Sequence, residues 1–93
     1  MSVSAIIVDD LDSEAGQQPG AVEIREIHGE VAGMAFRCPC GCGYDSWLPV
    51  HRAEHGWNWD GNRDTPTLTP SILQSGLPCK WHGYLTGGEF VAC

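Results

Sequence analysis

Five cysteines in 93 residues constrain this chain more than any other feature, because four of them fall in two tight clusters. One is Cys38-Pro39-Cys40-Gly41-Cys42-Gly43 and the other is Cys79-Lys80-Trp81-His82, with Cys93 standing alone. A domain this short buries only about 60–65% of its unfolded surface, so a staple is expected. An odd count leaves one thiol over in any all-disulfide scheme, and Cys38, Cys40 and Cys42 are too close together to pair comfortably with one another. Metal therefore fits better than disulfide, which implies a reducing setting where thiols stay free. The N-terminus shows no charged-then-apolar leader, and no run approaches the ~18 apolar residues of a membrane span. A cytoplasmic protein with no membrane partner is the expectation.

Thiolates with imidazole are preferred donors for zinc, commonly supplied as pairs from two separate turns. Cys42-Gly43-Tyr44 has the Cys-Gly-aromatic ending of a zinc or rubredoxin-type knuckle, and Cys79-x-x-His82 has a spacing that lets two side chains converge on one ion. In the first cluster Cys38 with Cys42 has the wider spacing, and Cys42 carries the knuckle ending. The expected ligands are thus Cys38, Cys42, Cys79 and His82, with Cys40 as the alternate to Cys38 and Cys93 able to enter the shell. Such a shell is closed, and a closed shell points to a structural ion that supplies folding energy.

The pattern around these clusters predicts a β-rich or all-β small domain of short antiparallel strands and hairpins around a zinc knuckle, resembling a zinc ribbon. Val3 to Val8 is largely β-branched, and Val22, Ile24 and Ile27 alternate roughly with charged residues. Val31 to Arg37 leads into the first cluster and Tyr44 to Val50 leads out, as in a hairpin with the knuckle at its tip. Trp81 to Thr86 and Glu89 to Ala92 flank Gly87-Gly88, a hairpin signal. Loops and short strands are expected between Pro49 and Gly76. The expected organisation is one domain, made of an acidic segment 1–30 with two short strands and a loop, and a zinc-stapled core 31–93.

The net charge of −7 is concentrated: residues 1–30 hold seven acidic side chains against Arg25 alone, while 31–93 hold five against four basic ones. Asp9, Asp10, Asp12 and Glu14, followed by Gly16-Gln17-Gln18-Pro19-Gly20, read as a solvated loop. An acidic chain is poorly suited to sequence-independent nucleic-acid binding, which needs Lys and Arg on phosphates. Trp57 and Trp59 alternate and are expected to cover the small core. Asp60-Gly61-Asn62 suits a turn, and the hydroxyls within Pro66-Thr67-Leu68-Thr69-Pro70-Ser71 are expected to satisfy loop backbone.

Two catalytic patterns compete with a purely structural ion. His51-Arg52-Ala53-Glu54-His55 matches the inverted zincin motif, but Pro49 and Gly56 bracket a segment too short to nucleate a helix alone. His28-Gly29-Glu30 with Pro78-Cys79 echoes a zinc deaminase, although His82 stands where that signature needs cysteine. The sequence shows no Ser/His/Asp arrangement, phosphate loop or dinucleotide fingerprint.

Taken in order, CPCGCGY, WNWDGN, PTLTPSI and the C-x-x-H-G-Y-L segment resemble a group of small zinc-binding proteins from phages and prophages, some labelled ammonia monooxygenase. The resemblance covers roughly residues 34–93. Similar proteins carry a shorter C-P-G-C knuckle, which favours the outer cysteines of Cys38-Pro39-Cys40-Gly41-Cys42 as ligands and supports His82. It implies a phage context and zinc without implying a reaction. The resulting expectation is a phage or prophage accessory protein, a structural-zinc module that binds a host protein rather than a nucleic acid. A small zinc-dependent hydrolase or deaminase is the alternative.

Overall fold

In a computed structural model of the chain, residues 2–50, 56–73 and 79–92 are described. They form two β-sheets and one short 3-10 turn, and no α-helix occurs among them. The strands are β1 Ser2–Ser4, β2 Ile6–Ile7, β3 Ala21–Ile27, β4 Glu30–Arg37, β5 Asp45–Pro49, β6 Asn58–Trp59, β7 Leu68–Leu73, β8 His82–Thr86 and β9 Glu89–Ala92. One sheet runs β1-β9-β8-β7-β6 and the other β2-β3-β4-β5. Every strand pairing is antiparallel except β2 with β3.

The alternation seen in the sequence becomes the two faces of each sheet. Val22, Met34, Phe36, Leu48 and Val50 from one sheet meet Leu68, Ile72, Leu85 and Phe90 from the other in a single buried core. Phe36 stacks on Phe90 across it with ring centroids 5.4 Å apart. Trp57, Trp59 and Trp81 pack against the edges of this core, as the alternation of the first two suggested. Ala5 carries the chain from one sheet to the other: β1 pairs with β9, Ala5 N–H donates to the Gly88 carbonyl, and Ile6 N–H already donates to that of Gly20.

The expected hairpins are present. β4 and β5 pair from Gly33↔Pro49 to Arg37↔Asp45, with the cysteine knuckle as their connection, and β8 and β9 pair around Gly87-Gly88. The 60–65 turn is built from its own side chains. Asp60 accepts from Asn62 N–H at 3.0 Å, and Asn62 accepts from Asp64 and Thr65 N–H, each at 2.9 Å. His51–His55 and Cys93 lie outside the described residues, so the zincin-like motif has no structural account here.

The N-terminal loop departs from the expectation of a solvated segment. Its acidic side chains at 9, 10, 12 and 14 are exposed, but Leu11 is buried with Ala21 and Ala35 on the outer face of the four-stranded sheet. Arg37 holds it there. This guanidinium, 8% exposed, donates to the Leu11 carbonyl at 2.9 Å, to the Gly16 carbonyl at 3.1 Å and to the Gly43 carbonyl at 3.1 Å. A buried cation is tolerated when its donors are matched, and these carbonyls need donors as much as the arginine needs acceptors. Composition marked the loop as acidic; one leucine and one distant arginine decide that it folds back.

Candidate functional site

The knuckle between β4 and β5 is shaped by backbone. Gly41 and Gly43 take φ of 90° and 86°, left-handed values that let the chain reverse without a Cβ in the way. Cys38 N–H donates to the Tyr44 carbonyl at 2.8 Å and Gly41 N–H to the Cys38 carbonyl at 3.2 Å. Cys42 N–H points at the Cys40 sulfur, 3.3 Å away. Cys79 comes from the other sheet, three residues before the first residue of β8.

These two pieces bring four sulfurs together. The Sγ atoms of Cys38, Cys40, Cys42 and Cys79 all lie within 4.8 Å of one another. Cys38 is 3.3 Å from Cys40 and 3.5 Å from Cys79, and Cys42 is 3.7 Å from Cys79. Four thiolates at 2.3 Å around one tetrahedral ion would stand about 3.8 Å apart, so the cluster is close to that size already. The donor set suits a soft or borderline metal ion, and it is the one group of three or more metal-ligating side chains among the described residues.

The thiols are not equivalent. Burial pushes Cys38 well above the ordinary thiol range, and burial also raises Cys40. Cys79 is lowered to about 7, chiefly because Trp81 N–H donates to its sulfur. Hydrogen-bonded sulfurs crowded this closely compete for protons, and a cation that replaces those protons relieves the competition.

The structure brings Cys38, Cys42 and Cys79 together, and the fourth sulfur is that of Cys40. His82 is elsewhere. Trp81 turns its ring into the core, edge-on to Phe90 at 5.9 Å, so the next residue of the strand faces outward. There His82 Nε2 meets Ser71 Oγ at 3.1 Å. The two residues sit on neighbouring strands: β7 and β8 pair at Leu68↔Leu85, then lose register, and pair again at Ile72↔Gly83 and Leu73↔His82. The segment 69–71 bulges between these points and delivers Ser71 beside the imidazole. Ser71, expected to be a loop hydroxyl, thus joins a serine–histidine pair that no local pattern shows, since its partner stands eleven positions away. By contrast Thr67 behaves as expected, its Oγ1 accepting from Gly87 N–H at 2.8 Å.

A family model described as bacterial ubiquitination-like system serine protease (BubE) matches residues 7–93. The chain belongs to this family. No curated protein and no solved structure matches it significantly. In this BubE-family chain the match spans both the sulfur cluster and the serine–histidine pair, together with the acidic loop that the phage resemblance left uncovered. The pair has the separation at which an imidazole can take a hydroxyl proton. It lies on the open outer face of the five-stranded sheet, flanked on the same face by exposed Leu73 and Tyr84. His28 and Glu30, the residues of the deaminase echo, stand exposed at the β3–β4 turn and are not in the sulfur cluster.

Proposed function

We propose that this protein is a serine hydrolase in which Ser71 is the nucleophile and His82 the general base, acting on an amide bond within a bacterial ubiquitination-like system. The observation that carries this is the 3.1 Å contact between Ser71 Oγ and His82 Nε2 in a chain belonging to a family whose description names a serine protease. Attack begins as His82 Nε2 takes the Ser71 proton while Oγ bonds to the substrate carbonyl carbon. The same imidazole then returns that proton to the departing amine, leaving an acyl-serine that water releases. An open sheet face flanked by Leu73 and Tyr84 suits an extended protein tail better than a small molecule, so the favoured substrate is the tail of a modifier protein, free or conjugated.

Zinc fits the four sulfurs best. Cys38, Cys40, Cys42 and Cys79 match a closed four-thiolate shell in charge, size and softness, and such a shell holds no position for substrate or activated water. When bound, zinc supplies folding energy, and the bond-breaking rests on Ser71 and His82. Cys40 completes the shell in place of His82, which leaves the imidazole to Ser71.

Activity-based labelling tests the assignment. A fluorophosphonate probe is expected to modify the metal-loaded protein at Ser71, as mapped by peptide mass spectrometry, and both Ser71→Ala and His82→Gln should abolish the adduct. Labelling of another serine, or an unchanged rate in the His82 variant, would overturn it.

A further inference from the structure

The sulfur cluster and the serine–histidine pair are joined by a short piece of chain. From Cys79 to His82 there are three residue steps, and this connector is held at both ends. Trp81 N–H donates to the Cys79 sulfur, while the Trp81 ring covers Gly83 so closely that a Cβ there would meet its carbons at 2.7 and 2.8 Å. Lys80 between them takes a φ of 48°, an uncommon value that sets the path of the connector.

The pair itself sits at a vulnerable place. Leu73 is the last residue of β7 and His82 the first of β8, and these two are register partners, so Ser71 and His82 meet at the terminal end of the β7–β8 ladder. Strand ends open at small cost, and a nucleophile–base contact loses effect with displacements near 1 Å. An anchor just beyond the strand end is therefore worth more to His82 than to any residue in the interior of β8. Cys79 is placed to be that anchor, because its three sulfur partners belong to the knuckle of the opposite sheet.

We infer that metal bound at the four cysteines positions His82 against Ser71 through Cys79, so that occupancy of the sulfur site sets the competence of the serine nucleophile. Cys79 is thus a positioning residue. This rests on the proposed serine hydrolase reading, and its particular content is an asymmetry. Removing a knuckle sulfur leaves the tie between the sheets, whereas removing the Cys79 sulfur cuts it.

The test compares Cys40→Ser with Cys79→Ser, each loaded with zinc and each keeping three thiolates, with cobalt substitution used to verify a bound ion and circular dichroism to verify the fold. The first readout is the imidazole nitrogen signal of His82 by NMR, with its hydrogen-bonded component identified from the change produced by Ser71→Ala. The second is the fluorophosphonate labelling rate. Both serine variants lose a ligand, and Cys79→Ser should label about 10- to 100-fold more slowly than Cys40→Ser and lose the Ser71-dependent His82 signal that Cys40→Ser keeps. Cys79→His, which restores a ligand at the same place, should recover most of both. Equal effects in the two serine variants, or a His82 signal indifferent to Cys79, would overturn the inference even if Cys79→Ser folds poorly, since Cys79→His is read against Cys40→Ser in the same way. Absent labelling in the metal-loaded parent would instead sink the hydrolase assignment, and the NMR comparison would still decide whether Cys79 positions His82.

Discussion

The two sheets share one core but treat their outer faces in opposite ways. The four-stranded sheet is covered where Ala21 and Ala35 meet Leu11, and Arg37 fastens that cover through three carbonyls. The five-stranded sheet keeps its outer face open, with Leu73, Tyr84 and Val91 exposed around Ser71 and His82. Small alanines on one face make room for a loop; larger side chains and a polar pair on the other present a surface. In so small a sandwich, one outer face is partly covered by its own chain and the other is left exposed. The sulfur cluster sits where the two sheets are tied.

The contrast can be broken experimentally, and the largest effect should come from that tie. Chelation of the metal is expected to remove stability on the order of 10 kcal/mol at neutral pH and to unfold both sheets together. Thermal melts with and without a strong chelator would show it; an unchanged midpoint would mean the core alone holds the sandwich. Next, Ser71→Ala on the open face should reduce amide hydrolysis by about 10⁴-fold or more while the melting temperature stays within a degree or two. Equal losses of both would place Ser71 in the scaffold.

On the covered face, Arg37→Met should lower stability by about 3 kcal/mol, since it strips donors from carbonyls of which two lie in buried contacts. Denaturant unfolding measures this, and labelling of Ser71 in the folded variant should be little changed. If labelling falls in step, the two faces are coupled more closely than their packing suggests.

The smallest effect concerns the same cover. Glu23 accepts from Arg25 and from Leu11 N–H, contacts that hold its carboxyl below its ordinary value of 4.5. A depressed folded-state value means the contribution is present above about pH 4.5 and is lost as pH falls through the lower folded value. Glu23→Gln should therefore destabilise by about 1 kcal/mol or less at neutral pH, and the two proteins should converge in acid. A constant difference across pH would show that packing, not charge, fixes Leu11.

Much of the molecule was legible because its signals are local. The knuckle is written in Cys38 to Tyr44, the β8–β9 turn in Gly87-Gly88, and the strand faces in an alternation that is clearest along β8. The expectation that Cys79 and His82 converge was also local: in a turn the two side chains meet on one ion, whereas in a chain that straightens into β8 the third step faces away. The structure takes the second path, so Cys40 joins the sulfurs and His82 reaches Ser71. Likewise the burial of Leu11 depends on Arg37, which stands 26 residues away.

By itself, then, the sequence determined a β-rich chain with thiols grouped for one metal site, since ligand spacing, turn chemistry and side-chain alternation act over a few residues. Only the tertiary structure decided which four donors meet, which sheet face stays open and that Ser71 lies beside His82. Those outcomes depend on strand register and on the bulge between Leu68 and Ile72, and register is set by the whole core packing at once rather than by any neighbouring residue.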